Sequence, residues 1–210
     1  MLSVNWIFLG AAVGAVGTAV YLRDTWRGTT QPNRVTWLLW AVAPLLAAAV
    51  ELDDGVGVRA LPTFMVGFMP LLVFIGSFRN PGAVWQIRRI DYACGAMSVV
   101  GTAVWLVTRN GIIGISAAIV ADFLAGMPTV MKSWTHPHTE TVYAYLGAVL
   151  SMVILLLTVD HWTFEVAAFP IFIVCMGSVE VFLVGFEPGP RLRRARRGRD
   201  ASLAGPTASG

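Results

Sequence analysis

Apolar residues fall into seven long runs along this chain, and short polar segments separate them. The runs cover residues 5–22, 35–52, 60–78, 90–108, 112–131, 142–159 and 162–186. Each is close to the roughly 20 residues that a helix needs to cross the hydrocarbon core of a bilayer. The pattern predicts an all-α polytopic membrane protein with seven transmembrane helices. Because the connections are short, consecutive helices are expected to be antiparallel neighbours.

Composition supports the membrane interpretation. Of 210 residues, 56% are hydrophobic and 13% are charged, whereas about 25% are charged in a typical soluble domain. This excludes a soluble enzyme, a coiled coil, a disordered protein and a disulfide scaffold. The lipid bilayer is therefore the expected partner and nucleic acid is not, while a homo-oligomer is compatible with the sequence.

The basic residues predict an orientation. Thirteen of the fifteen Lys and Arg residues fall on one side of the predicted membrane, six of them in the tail between Arg191 and Arg199. The other side holds only Arg59 and Arg109. Because cytoplasmic loops are enriched in Lys and Arg, we expect the N-terminus outside and the C-terminus in the cytoplasm, in the plasma (inner) membrane.

The first three runs resemble the last three, which predicts an internal repeat. The segment Thr63-Phe64-x-Val66 aligns with Thr163-Phe164-x-Val166. The chain then divides into a first triple-helix unit with its loop (1–89), a linker helix (90–111), a second triple-helix unit (112–187) and a basic tail (188–210), which we expect to be disordered and cytoplasmic. A single linker helix leaves the two units parallel, as in carriers whose solute path lies between repeats.

This 3+1+3 arrangement resembles the PQ-loop/SWEET superfamily of membrane proteins. The stretch from Asp122 to Trp134 is similar to the PQ-loop pattern, with Pro128-Thr129 where the family has Pro-Gln. In the first unit Val20-Tyr21 stands at that place, so neither unit has an intact dipeptide. The resemblance implies two triple-helix bundles and a small-molecule solute.

Asp122 is the strongest single candidate for function. It lies ten residues into the fifth run, about 15 Å deep at 1.5 Å per residue. A carboxylate at that depth costs about 2.5–3.5 kcal/mol on insertion scales and by default marks a functional site. Some superfamily members are proton-coupled through a membrane Asp near this motif, so the resemblance implies the same role here. The structural alternative is a neutral Asp bonded to nearby backbone.

Three prolines inside predicted spans are candidate hinges. Pro70 and Pro170 occupy matching positions of the two units, and Pro128 belongs to the PQ-loop-like stretch. A proline in a helix removes one backbone hydrogen bond and introduces a kink. Matched hinges fit alternating access, but prolines are also common in membrane helices for structural reasons.

Four aromatic residues and one acid complete the candidate solute and proton path. Trp37, Trp40, Tyr143 and Tyr145 lie near the predicted cytoplasmic ends of the second and sixth spans, where they either line a pocket or form an interfacial belt. Glu180 lies near the cytoplasmic end of the seventh span. Its ordinary interpretation is a side chain that snorkels to water, and the functional alternative is a gate.

The motifs predict a small-solute transporter, coupled to protons if Asp122 carries them. The alternative is a non-transporting membrane receptor or partner-binding module, which would have a dry, tightly packed interior. We expect no enzyme and no cofactor, since nucleotide-binding, metalloprotease and serine-hydrolase motifs are absent from the sequence. The loop His136-Pro-His138-Thr-Glu140 is compatible with a metal site or a pH-sensitive segment, and neither is favoured.

Overall fold

The computed structural model describes residues 5–53, 55, 60–107 and 111–203, and this part of the chain is helical and free of strands. The helices are α1 (Trp6–Arg27), α2 (Arg34–Asp53), α3 (Leu61–Gly76), α4 (Arg89–Val107), α5 (Gly111–Thr135), α6 (Val142–Leu156), α7 (Phe164–Phe186) and α8 (Pro188–Leu203). A short 3-10 helix, Pro137–Thr139, precedes α6. The prediction of an all-α protein is confirmed, and each of the seven apolar runs is helical.

Within the described residues, three helices are long and apolar enough to cross a bilayer: Trp6–Arg27, Ile112–Thr135 and Val166–Phe186. Three others, Arg34–Ala49, Leu61–Gly76 and Val142–Leu156, are apolar but shorter. Large apolar side chains are exposed along several helices, for example Val100 at 64% and Ile75 at 58%. Such contiguous apolar surface is unusual on a water-facing monomer and fits a membrane environment.

Two predicted boundaries are wrong at the C-terminal side of helices. Helix α5 continues four residues beyond the predicted run, so Lys132 belongs to the helix and not to a loop. The tail predicted to be disordered is helical from Pro188 to Leu203. The proline fits the first turn of a helix because its nitrogen carries no hydrogen that would need a partner there, and the Arg and Ala residues that follow are strong helix formers.

Helices α1–α3 and α5–α7, two groups of three along the chain, contact one another in one closed ring. Helix α3 contacts α1 and α2, and α7 contacts α5 and α6. Between the groups, α1 packs on α6 and α2 packs on α5, while α4 lies against α5 and α2. If α1, α2 and α3 are matched with α5, α6 and α7, every contact between these six helices has a counterpart.

Glycines allow the closest of these approaches. A Cβ at Gly17 would lie 3.3 Å from the Gly147 Cα, and one at Gly10 would lie 3.3 Å from the Ser151 backbone oxygen. Gly10, Gly14 and Gly17 therefore form a close packing face on α1 against α6.

Polar side chains join the helix ends at one end of the bundle. Trp26 of α1 donates to the Gly76 carbonyl at the end of α3, and Asn33 before α2 donates to Asp91 at the start of α4. We call this the basic end, because it carries the basic residues Arg23, Arg27, Arg34, Arg79, Arg88, Arg89 and Lys132. The two basic residues expected at the opposite end, Arg59 and Arg109, lie outside the described residues.

Candidate functional site

The described helices line two partly open cavities. The first, which we call the central cavity, measures about 140 Å³ and is lined by residues of α1, α2, α3, α5, α6 and α7, such as Thr18, Trp40 and Glu180. The second, the distal cavity, measures about 440 Å³ and is lined by residues of α2 to α7, such as Pro44 and Ser98. The distal cavity lies in the half of the bundle away from the basic end, and the central cavity extends toward the basic end.

Asp122 lines both cavities. The other residues that line both cavities are apolar: Pro62, Val66, Met152 and Leu155. Asp122 is therefore the charged residue at the boundary between the two cavities. The Trp40 indole donates to the Asp122 backbone oxygen at 3.2 Å, which ties α2 to α5 at this level. Its carboxyl group has no hydrogen-bond or ion-pair partner among the residues that the structure describes. The structural alternative, an Asp satisfied by nearby backbone, therefore has no support in this arrangement.

An aromatic cluster forms the wall of the central cavity toward the basic end. The Trp37 ring lies 5.5 Å from that of Trp40 and 6.4 Å from that of Tyr145, centroid to centroid. Behind them, the Tyr21 ring lies 4.7 Å from that of Trp37. Trp37 is 5% exposed and Tyr145 is 4% exposed. An interfacial belt, the alternative for these aromatics, is therefore wrong for Trp37 and Tyr145.

A buried ionic network closes the basic end behind this cluster. The Lys132 ammonium lies 2.5 Å from Glu140 Oε1, and it also donates to the Gln31 carbonyl. Tyr21 and Tyr145 each donate a hydroxyl hydrogen to Glu140 Oε2, at 2.8 and 2.9 Å. Both oxygens of Glu140 are therefore satisfied, and one network joins α1, α5, α6 and the segment before α2.

Glu180 is the unsatisfied acid beside this network. It is 1% exposed, and neither of its carboxyl oxygens has a hydrogen-bond partner within 3.5 Å among the described residues. The Ser133 hydroxyl, which also lacks a partner within that distance, lies nearest to it, and the other polar groups that face it are Lys132, Glu140, Tyr21 and Tyr145. The expectation that Glu180 snorkels to water is wrong, because its side chain points into the bundle and lines the central cavity. A buried carboxyl without a partner is costly and calls for a functional explanation.

The remaining predicted site residues are divided between the cavities and the bundle surface. Pro70 lines the central cavity and Pro170 the distal one. Pro128 is buried in α5 and lines neither cavity. Tyr143 is 53% exposed and also lines neither, so it is not part of the site. An outward-facing position fits the belt that was its alternative role.

Sequence reasoning missed Lys132, Glu140 and Tyr21 as members of the site. Hydropathy predicts a loop at Lys132, and the sequence around Glu140 suggests only a metal site or a pH-sensitive segment. A signal was present in the sequence, since Lys132 is the only lysine in the chain and the surrounding segment holds an acid. The contact between Lys132 and Glu140 depends on the 3-10 helix Pro137–Thr139. This helix reverses the direction of the chain after α5 and so places Glu140 beside Lys132.

Hydrogen bonds of Asn33 and Thr129 also hold the basic end together. Asn33 Oδ1 accepts from the backbone nitrogens of Val35 and Thr36 and caps α2, while its amide donates to Asp91. The Thr129 hydroxyl donates to that of Thr36 at 3.1 Å, which joins α5 to α2. Asn33, Thr36 and Thr129 are each fully buried, so these contacts fix the ends of three helices.

The two histidines of the loop lie toward the surface of the basic end, where His136 is half-buried and His138 is exposed. His136 lies beside Trp85, with ring centroids 5.3 Å apart. Partial burial and the neighbouring positive charges of His138, Arg193, Arg88 and Lys132 lower the pKa of His136 from its usual 6.5. In the described part of the chain, no group of three His, Cys, Asp or Glu side chains is placed to hold a metal ion.

No protein-family model, curated protein or solved structure matches this chain.

Proposed function

We propose that this protein is a membrane carrier for a small solute, with seven spans formed by α1 to α7. The solute passes between the triple-helix bundles α1–α3 and α5–α7. The observation that carries this proposal is the pair of cavities that adjoin at Asp122, between the two groups of helices. A receptor or partner-binding module would be expected to have a tightly packed interior, so the cavities favour transport.

The closed basic end supports alternating access. The central cavity ends at the aromatic cluster, and this cluster and the Lys132–Glu140 network behind it block the path toward the basic end. Solute release on that side requires these contacts to separate. Pro70 and Pro170, one in each bundle and each lining a cavity, are the proposed hinges.

The paired contacts of the helices support the proposed repeat. Tyr21 and Thr129 occupy equivalent places in the two units. Tyr21 of α1 donates to Glu140 just before α6, and Thr129 of α5 donates to Thr36 at the start of α2. Each side chain thus reaches the start of the middle helix of the other unit, as expected for two bundles related by an axis along the membrane normal.

The basic end is proposed to face the cytoplasm of a plasma (inner) membrane. Basic loops are retained on the cytoplasmic side, and α8 adds six arginines there. Clusters of this kind also attract anionic lipid headgroups. The N-terminus then lies outside, and the distal cavity belongs to the outer half of the bundle.

Asp122 is proposed to carry the coupling proton. It is the ionisable group at the boundary between the cavities, and no described residue forms a hydrogen bond or ion pair with its carboxyl group that would fix its charge. An intramembrane acid of this kind is typical of proton relays in transporters.

The test is a flux assay in liposomes that contain a pH-sensitive dye. With an imposed proton gradient, pools of small solutes are screened against wild type, Asp122→Asn and the matched control Asp160→Asn, which changes an exposed acid in the loop after α6. We expect solute-dependent proton flux in wild type and the control, and its loss in Asp122→Asn. Flux that survives Asp122→Asn removes the coupling role of this residue, and solute uptake that is absent with every pool contradicts transport.

A further inference from the structure

We infer that the solute is a small organic cation with an apolar body, held between the carboxyl groups of Asp122 and Glu180 and against the rings of Trp37, Trp40 and Tyr145. This inference rests on the proposed function, since it names the class of solute for the same cavities. All five residues line the central cavity.

The charges that line the site are of one sign. Asp122 and Glu180 are acids, and the described residues that line either cavity include neither Lys nor Arg. Lys132, the basic group that faces Glu180, is already paired with Glu140 at 2.5 Å and has given another hydrogen bond to the Gln31 carbonyl. A positively charged solute in the cavity would therefore pair with Asp122 and Glu180, for which the described residues provide no free basic group.

Glu180 provides the most direct evidence for a missing partner. Its side chain is buried and lines the cavity, and among the described residues no cation pairs with it and no donor lies within 3.5 Å of either oxygen, the Ser133 hydroxyl being the nearest polar group. A buried carboxyl is stable only when it is neutral or paired. Because a cationic head in the cavity supplies that pair, the ionised form of Glu180 becomes acceptable when the solute binds.

The aromatic wall suits the same ligand. The faces of Trp and Tyr rings attract cations within about 6 Å of their centroids, and Trp does so most strongly. Three such rings meet at one wall, with Trp37 between Trp40 and Tyr145. The other walls are largely apolar and include Met65, Met69 and Met152, and methionine side chains adapt to apolar groups of varied shape.

Other solute classes fit these walls less well. A sugar needs many hydrogen-bonding groups, and an anion would meet two acids with no free base. A bare metal ion needs at least four to six ligands at short distance, whereas only two acids line the central cavity among the described residues. A cation with an apolar body uses both the acids and the rings.

Equilibrium dialysis of the full chain in detergent tests this inference with three probes of similar size. They are benzyltrimethylammonium, which is permanently cationic, benzyl alcohol, which is neutral, and benzoate, which is anionic. Protein-free micelles give the blank. We expect saturable binding of the cation, and affinities for the other two probes at least about tenfold lower, because both acids lie in a low-dielectric site.

Variants then place the cation in the cavity. Glu180→Gln and Asp122→Asn are each expected to weaken cation binding by about tenfold or more, and Trp40→Leu by about threefold to tenfold, the range expected for one cation–π contact. Asp160→Asn is the control and should bind as wild type. Melting temperatures in detergent identify any variant that does not fold. If a variant does not fold, the affinities of the three probes for the wild-type protein test the inference.

The outcomes separate this inference from the proposed function. Equal or tighter binding of benzyl alcohol or benzoate overturns the cation inference, as does unchanged cation binding in folded Glu180→Gln and Asp122→Asn. If the cation fails to bind but the liposome assay finds flux of a neutral or anionic solute, transport stands and the solute class is wrong. Acid-dependent cation binding without flux from any pool supports the site and contradicts transport.

Discussion

Lys132 and Glu140 form a salt bridge 2.5 Å long between side chains that are 1% and 0% exposed. A buried ion pair is stable only if its other hydrogen-bonding atoms also have partners, because both charges have lost their contact with water. Here Tyr21 and Tyr145 satisfy the second oxygen of Glu140, and the Gln31 carbonyl takes another hydrogen from Lys132. The pair therefore holds α1, α5 and α6 together at the basic end of the path.

Breaking this pair at one side should destabilise the protein strongly. Lys132→Met leaves the Glu140 carboxylate buried without its counter-ion, and Glu140→Gln leaves the ammonium in the same position. Each should lower the free energy of unfolding by about 3–5 kcal/mol. The double variant should cost less than either single one, because it leaves no unpaired charge.

The measurement is an unfolding titration of all four proteins in detergent, combined as a double-mutant cycle. Arg23→Met is the matched control, since Arg23 pairs with Asp24 at 2.9 Å but is 52% exposed. An exposed pair contributes about 1 kcal/mol or less. If Lys132→Met costs no more than Arg23→Met, the buried network does not hold the basic end.

The close approach of α1 to α6 makes a second prediction. A Cβ at Gly17 would overlap the backbone carbonyl oxygen of Tyr143, whereas one at Gly185 meets no atom within 4 Å. Gly17→Ala should therefore lower the unfolding free energy by about 1–3 kcal/mol, the usual cost of overpacking. Gly185→Ala should be neutral or stabilising by up to about 1 kcal/mol, because alanine favours the helix.

Both variants are compared with wild type in the same unfolding titration. Because each adds a single methyl group to a helix, the difference between them reports the space at the helix contact. Equal stability of the two variants would mean that α1 and α6 are farther apart than in this structure.

Helices α1 to α7 could be predicted from the sequence because each is a long apolar run with polar ends. The end of an apolar run does not predict the end of its helix when the helix continues into polar residues. Helix α5 runs through Lys132 and ends at Thr135, beyond the last strongly apolar residue. Helix α8 has almost no apolar pattern, and its arginines were interpreted only as a charged tail.

A site residue could be predicted where its type alone is unusual for its position in the sequence. Asp122 stands out because a carboxylate interrupts an apolar run, and it does line both cavities. Glu180 was harder because its distance along the helix suggests access to water, while its orientation into the bundle decides its burial. The partnership of Lys132 with Glu140 depends on tertiary contacts and on a 3-10 turn, which hydropathy does not report.

The histidine loop makes the last prediction, a pH dependence of stability. Burial and nearby positive charges lower the pKa of His136 below 6.5 in the folded protein. The unfolded chain then binds a proton more readily, so the stability that His136 contributes is complete above about pH 6.5 and is lost as the pH falls toward the lower folded pKa. Between pH 7.5 and 5.5, the melting temperature of His136→Gln should therefore fall less than that of wild type, by about 1–2 °C. His161→Gln, which changes an exposed histidine in the loop after α6, is the control and should follow wild type. An identical pH dependence in His136→Gln and wild type would show that the charges around this loop do not act on folding.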